Sequence, residues 1–281
     1  MKVPKLLVLA IAGLIFLPTA GADPILFSTG FPNTLIGMAS RPASAGLIEI
    51  EAADDFLLKT QSTITGGSFW GVVTIPGQSA AITEVVVSFY NIFPTDSTVP
   101  PDDKVPTRAN SPADDEFASR DTASGGLTFG EGVVTSGLAA NSVLNGINPK
   151  PNQTTLGEGP ITGAEVRIDF TLTTPLVLPA GHYFFVPQAA VSNGGQFYFL
   201  SAPKPISGGT GPFVGDLQTW MRNSDLDPDW LRVGTDIVGT GAFNGAFALN
   251  GIAAVPEPAT LALVALAFVG LYAGRRCSKA G

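Results

Sequence analysis

Apolar and polar residues alternate over short stretches of residues 23–254, and Gly, Pro, Asn and Ser separate these stretches. A period of two residues is typical of a β-strand with one buried face. In 82–87 apolar residues fall on both sides, which predicts a central strand. The clearest alternation lies in 164–172, with an apolar and a polar side: Val166, Ile168, Phe170 and Leu172 against Arg167, Asp169 and Thr171.

No segment of 12 or more residues in this region has a helical period without an interrupting Gly or Pro. Short strands joined by turns predict antiparallel sheets packed face to face, as an all-β sandwich or jelly roll in one domain. The predicted strands are 46–51, 55–59, 68–75, 82–93, 133–139, 164–172, 183–187, 196–201 and 246–250. The predicted core is aromatic: Phe69, Trp70, Phe89, Phe170, Phe184 and Phe199.

The strand pattern stops between residues 94 and 126, where Pro and acidic residues are frequent and aliphatic residues are few. Polar segments of this length that lack periodicity are usually surface loops. We therefore expect a long acidic surface loop over 94–126.

Charge and composition exclude several kinds of site. Residues 23–254 carry 10 basic and 22 acidic side chains, a net charge of −12, which argues against a nucleic-acid partner. The one cysteine, Cys277, excludes a disulfide framework. The one histidine, His182, excludes a site that needs two imidazoles.

The N-terminus predicts a secretory signal peptide over 1–22. Lys2 and Lys5 precede an apolar run, 6–17, which Pro18 ends. The run is too short to span a bilayer, whose hydrocarbon core needs about 20 residues. The small residues Ala20 and Ala22 suit signal peptidase, and we expect cleavage after Ala22.

The C-terminus, 255–281, has three parts in order. The tripeptide Pro256, Glu257 and Pro258 is followed by an uncharged apolar segment, 259–274, and by a basic tail, 275–281. As a helix the apolar segment would be roughly 24 Å long, a short membrane anchor. Basic residues stay on the cytoplasmic side of a membrane and stop translocation. The basic residues that would stop translocation of this chain are Arg275, Arg276 and Lys279.

This ending resembles the PEP-CTERM sorting signal of Gram-negative bacteria. The resemblance implies processing by an exosortase, a membrane-embedded protease that cuts near the motif and releases or re-attaches the body. Before processing the chain would be anchored in the inner membrane; afterwards it would reach the outer surface or the extracellular matrix. Short fragments of the body also resemble other PEP-CTERM ectodomains: 53–56, 64–71, 179–183 and 246–249. A plain single-pass anchor is the alternative.

Two groups of acidic residues are candidate ligands for a structural calcium ion, and no other cofactor is expected. Asp225, Asp227 and Asp229 alternate, and Asp54 and Asp55 are adjacent. Ca²⁺ prefers six to eight oxygen ligands, which such side chains supply. Trp230 stands where an EF-hand loop requires Gly, so this is not an EF-hand. Alternatively, Asp54 and Asp55 accept backbone hydrogen bonds at a turn.

No enzymatic activity is predicted, because the chain has no Gly-x-Ser-x-Gly elbow and its cysteine lies outside the body. We expect an exported protein with a structural or adhesive role in a polysaccharide-rich biofilm. One alternative is a carbohydrate-binding module that binds extracellular polysaccharide through exposed aromatic rings, with Trp220 and Trp230 as candidates. A secreted glycoside hydrolase, which would use paired carboxylates, is the second alternative.

Overall fold

The computed structural model describes residues 23–44, 46–74, 81–95, 108–147, 154–204, 217–224 and 226–254. The predicted signal peptide and sorting segment lie outside these ranges, as does Asp225. Within these ranges no helix is both long enough and apolar enough to cross a membrane.

The described residues form mostly antiparallel strands, with a 3-10 turn at Ser192–Gly194 and a π-helical turn at Val233–Val238. The strands are β1 (Ile25–Ser28), β2 (Ile36–Ala39), β3 (Ile50–Leu58), β4 (Ser62–Thr74), β5 (Ile82–Ile92), β6 (Pro112–Asp121), β7 (Leu127–Ala139), β8 (Asn141–Val143), β9 (Ile161–Leu178), β10 (Gly181–Val191), β11 (Gln196–Ala202), β12 (Trp220–Asn223), β13 (Leu231–Arg232), β14 (Asn244–Gly245) and β15 (Phe247–Ala253).

The larger sheet is organised around β4. One edge of β4 pairs with β9, and β9 pairs with β7. The other edge pairs first with β15 and then with β11, so the sheet divides into two branches there. Beyond β15 lies β1, whereas β11 pairs with β14 and with β2, and β2 pairs in parallel with β8.

Gly71 in β4 permits the close packing of β11. A Cβ atom at this position would overlap the ring of Phe197. The missing side chain therefore lets an aromatic residue of the neighbouring strand lie against the backbone of β4.

The second sheet has the order β13-β12-β3-β10-β5-β6. The prediction that 82–87 forms a central strand is confirmed, because β5 lies between β10 and β6. The alternation predicted in 164–172 is also confirmed: all four apolar side chains of that stretch are buried in β9, and the three polar ones are exposed.

The main core lies between the two sheets and is built from aromatic rings. Phe185 in β10 contacts Phe170 of β9 and Phe247 of β15, with ring centroids 5.8 and 5.0 Å apart. It also contacts Phe69 of β4 and Phe89 of β5. All six aromatic residues predicted for the core are buried. The β-rich fold class is therefore confirmed, and the jelly-roll connectivity stays a prediction.

The loop expected over 94–126 is wrong for its second half, since Pro112–Asp121 forms β6 and pairs with β5. An arginine outside β6 explains why this acidic segment forms a strand. Arg108 forms an ion pair with Asp114, so a carboxylate that composition assigns to solvent is buried beside a cation. That neutralised charge allows an acidic segment to join the sheet.

Candidate functional site

The two tryptophans predicted to bind sugar are buried. Trp220 is 1 % exposed and Trp230 is fully buried. Both pack with Ala53, Tyr90 and Phe184 in a small second core, on the side of the six-stranded sheet opposite the main core. Neither ring is available for a sugar to stack on, so the expectation of an exposed platform at these residues is wrong.

Asp54 and Asp55 lie on opposite faces of β3, because successive side chains of a strand alternate. Asp54 accepts a hydrogen bond from Thr219 Oγ1 at 3.1 Å. Asp55 lies 2.5 Å from His182 Nε2 and accepts the backbone N–H of Leu217 at 3.0 Å. The two carboxylates thus do not converge on one cation. Asp55 accepts a backbone hydrogen bond, but both residues lie within β3, so the expectation that they fix a turn is wrong.

The structure brings the carboxylates of Asp227 and Asp229 to arginines. Arg108 lies between Asp114 and Asp229, and it donates a hydrogen bond to each. Arg222 Nη1 lies 3.2 Å from Asp227 Oδ1. Among the described residues no three His, Cys, Asp or Glu side chains are grouped so that they could hold a metal ion.

These arginines belong to a buried set of charged and polar side chains that we call the ionic cluster: Glu51, Tyr90, Arg108, Asp114, Arg222 and Asp229. Arg222 donates hydrogen bonds to Glu51 Oε2 and, at 3.1 Å, to the hydroxyl of Tyr90. Tyr90 in turn donates to Glu51 Oε1 at 2.5 Å. The guanidinium of Arg222 also lies 4.5 Å from the ring of Trp230, a cation–π contact.

Burial and charge set the protonation behaviour of the ionic cluster. Burial raises the pKa of Glu51, and Arg222 partly offsets that increase. Burial, together with the charge of Glu51, raises the pKa of Tyr90 well above 10.0. Burial tends to lower the pKa of Arg222, but Glu51 and Tyr90 outweigh it and the pKa is raised. Arg222 therefore stays charged, and the cluster ties residues 108–114 and 226–230 to the sheet.

A cavity of about 350 Å³ lies near β12 and β13, with Trp220 and Leu217 of the second core in its lining. This volume is within the range of small-molecule sites. Its polar lining includes Lys204, Gln218 and Arg232. Arg232 is already bound by Asp236, with nitrogen–oxygen distances of 2.6 and 2.9 Å. The cavity therefore offers hydrogen-bonding groups and one cation already held by a carboxylate.

A second surface lies on the opposite side of the molecule from the ionic cluster, on the solvent face of the larger sheet. Directly opposed residues there are Gly132 of β7, Arg167 of β9 and Trp70 of β4. Directly opposed residues in antiparallel strands share a face. Together with Phe31, Gly130 and Asp169 we call them the outer patch.

Phe31 is the most exposed aromatic side chain of the described part of the chain, at 76 %. Its ring packs edge-on against Trp70, with centroids 5.8 Å apart. Backbone hydrogen bonds hold the flanking residues, from Thr29 N to Phe247 O and from Asn33 N to Ser201 O. Sequence analysis missed this residue. The available signal was an aromatic side chain between Gly30 and Pro32, outside any strand pattern.

The comparisons with known proteins concern the C-terminus. Residues 254–276 match a family model described as the PEP-CTERM protein-sorting motif. No curated protein and no solved structure matches the chain. The matched range includes Arg275 and Arg276 and begins one residue after β15 ends. The chain therefore carries a PEP-CTERM protein-sorting motif, and the resemblance inferred from Pro256, Glu257 and Pro258 is confirmed.

Proposed function

We propose that this chain is an exported protein that an exosortase sorts and processes, and that its β-rich body then has a structural or adhesive role. The observation that carries the proposal is the sorting motif at residues 254–276. The motif indicates an exported protein of a Gram-negative bacterium that is anchored in the membrane and then processed. The outer surface or the extracellular matrix is the proposed destination.

The architecture of the body supports a durable extracellular role. Residues 23–254 contain no cysteine, so no disulfide stabilises them. The aromatic core between two sheets supplies stability by other means, and the buried ion pairs of Arg108 and Arg222 hold the covering segments in place. The role requires no catalytic step. A released-sugar assay on polysaccharides should stay at background, and sugar release would contradict this.

The intact mass of the mature protein from its native host tests the processing. Signal peptidase and exosortase together should leave a chain that begins at Asp23 and ends close to Pro256. A variant in which Pro256, Glu257 and Pro258 are all replaced by Ala should keep the C-terminal segment and its mass. As a matched control, Glu131→Ala changes an exposed acidic residue of β7 and should be processed normally. A mature mass that includes residues 255–281 would overturn the proposal.

A further inference from the structure

The outer patch has features that the packing of this chain does not require. Gly130 and Gly132 lie in β7, an edge strand, where Gly destabilises a strand relative to Ala. A Cβ atom added at either position would meet nothing within 4 Å, and neither glycine has a positive φ. Neither space nor backbone conformation therefore explains them. Glycine in a strand often marks the close approach of a ligand or another backbone.

The strand register places polar and aromatic groups beside this open space. Gly132, Arg167 and Trp70 form one row across three strands, about 10 Å wide at the usual strand spacing. Gly130, Asp169 and Ser68 form the neighbouring row. The surface is thus flat and open at the glycines, and it ends at the exposed ring of Phe31.

The charges of the outer patch favour an uncharged ligand. Arg167 Nη2 lies 2.7 Å from Asp169 Oδ1, and about half of each side chain is exposed. The pair is neutral as a unit, yet it still presents a guanidinium donor and a carboxylate acceptor to solvent. Sugar hydroxyls can both donate and accept, so they match such a pair. The exposed ring of Phe31 suits the apolar C–H face of a pyranose.

We propose that the outer patch is a binding surface for a neutral polysaccharide chain, with Phe31 as its stacking residue and Arg167 and Asp169 as its hydrogen-bonding pair. A second copy of the protein fits less well. Two bodies of net charge −12 repel each other, and the patch carries no excess positive charge to offset that repulsion. The inference rests on the proposed adhesive role and names its ligand class.

Binding is tested on the processed full-length product with three neutral probes, dextran, mannan and hydroxyethyl cellulose, and with polygalacturonate as the charged comparison. Affinity electrophoresis should show retardation by at least one neutral polymer. Phe31→Ala should weaken that interaction about tenfold, the usual effect of removing one aromatic anchor. Gly132→Thr fills the open space without a clash, so it should fold and still weaken binding.

The matched control is Phe117→Ala. Phe117 is also exposed but contacts Tyr183, away from the outer patch, so its replacement should change affinity less than twofold. Equal losses for Phe31→Ala and Phe117→Ala, or no retardation by any neutral polymer, would overturn the inference. So would a dimer that Phe31→Ala dissociates in light scattering, because the patch would then bind a second copy. These outcomes leave the intact-mass test of processing unaffected, so the two proposals can fail separately.

Discussion

The main core and the ionic cluster lie on opposite faces of the same six-stranded sheet, and they stabilise the molecule in different ways. The main core is apolar, with rings from both sheets in contact around Phe185. The ionic cluster buries charges that are satisfied only by specific partners, as Arg222 is by Glu51 and Tyr90. An apolar core tolerates a side chain of similar volume, whereas a buried charge requires its own partner. The core therefore contributes stability, and the cluster fixes the position of the covering segments.

Replacing Phe185 should have the largest effect. Phe185→Ala removes a ring from the centre of the main core and should lower the free energy of unfolding by about 4 kcal/mol. Phe185→Leu keeps most of the volume and should cost about 1.5 kcal/mol. Urea unfolding of the processed protein measures both. Equal costs for Ala and Leu would show that volume is not what this core requires.

Breaking the ionic cluster should cost nearly as much, but the cost should be recoverable. Arg222→Met leaves the carboxylate of Glu51 buried without its cation and should cost about 3 kcal/mol. Adding Glu51→Leu removes the stranded charge, so the double variant should regain a large part of that loss in the same unfolding measurement.

Arg167→Met is the control for this cycle, because both side chains of the pair that Arg167 forms with Asp169 are about half exposed. It should cost only about 0.5 kcal/mol. If the losses from Arg222→Met and Glu51→Leu simply add, the two residues are not coupled and the cluster does not act as a unit.

The smallest expected difference between the ionic cluster and the main core is in how the stability of the protein depends on alkaline pH. The pKa of Tyr90 is raised above its unfolded value of 10.0. A raised folded-state pKa gives a contribution to stability that is present below pH 10 and is lost as the pH rises further. Tyr90→Phe should cost about 1 kcal/mol at pH 7 and should flatten the fall in stability above pH 10.

Tyr183, which packs in the main core, provides the comparison. Burial alone raises its pKa, whereas the charge of Glu51 adds to burial at Tyr90. Tyr183→Phe should therefore change the alkaline slope less than Tyr90→Phe does, as measured by thermal unfolding between pH 8 and 11. A larger change for Tyr183 would contradict this assignment.

The sequence predicted the elements whose evidence is local. In β9 the alternation of apolar and polar residues is complete, and the buried face follows directly from it. The six core aromatics were predictable for the same reason, since each lies in a short run of β-branched or aromatic residues. The sorting motif was predictable because its three parts are contiguous.

What the sequence did not predict depends on partners that are distant along the chain. Trp220 and Trp230 are buried because they pack beside Tyr90, a contact that no local pattern indicates. Asp229 is buried because Arg108, 121 residues away, reaches it. The outer patch is missed for a related reason, since only strand register brings Gly132 beside Arg167.

The position of β15 has a mechanical consequence. This strand ends at Ala253, and Ala254 is still held by a hydrogen bond from its N–H to the carbonyl of Gln61. The hydrogen-bonded structure thus extends to within two residues of Pro256 in the sequence. Tension applied there would act along β15, which is hydrogen-bonded to β4 on one edge and to β1 on the other. The bonds on both edges would be loaded in shear at once, so the body would resist being unzipped from the end by which it is held.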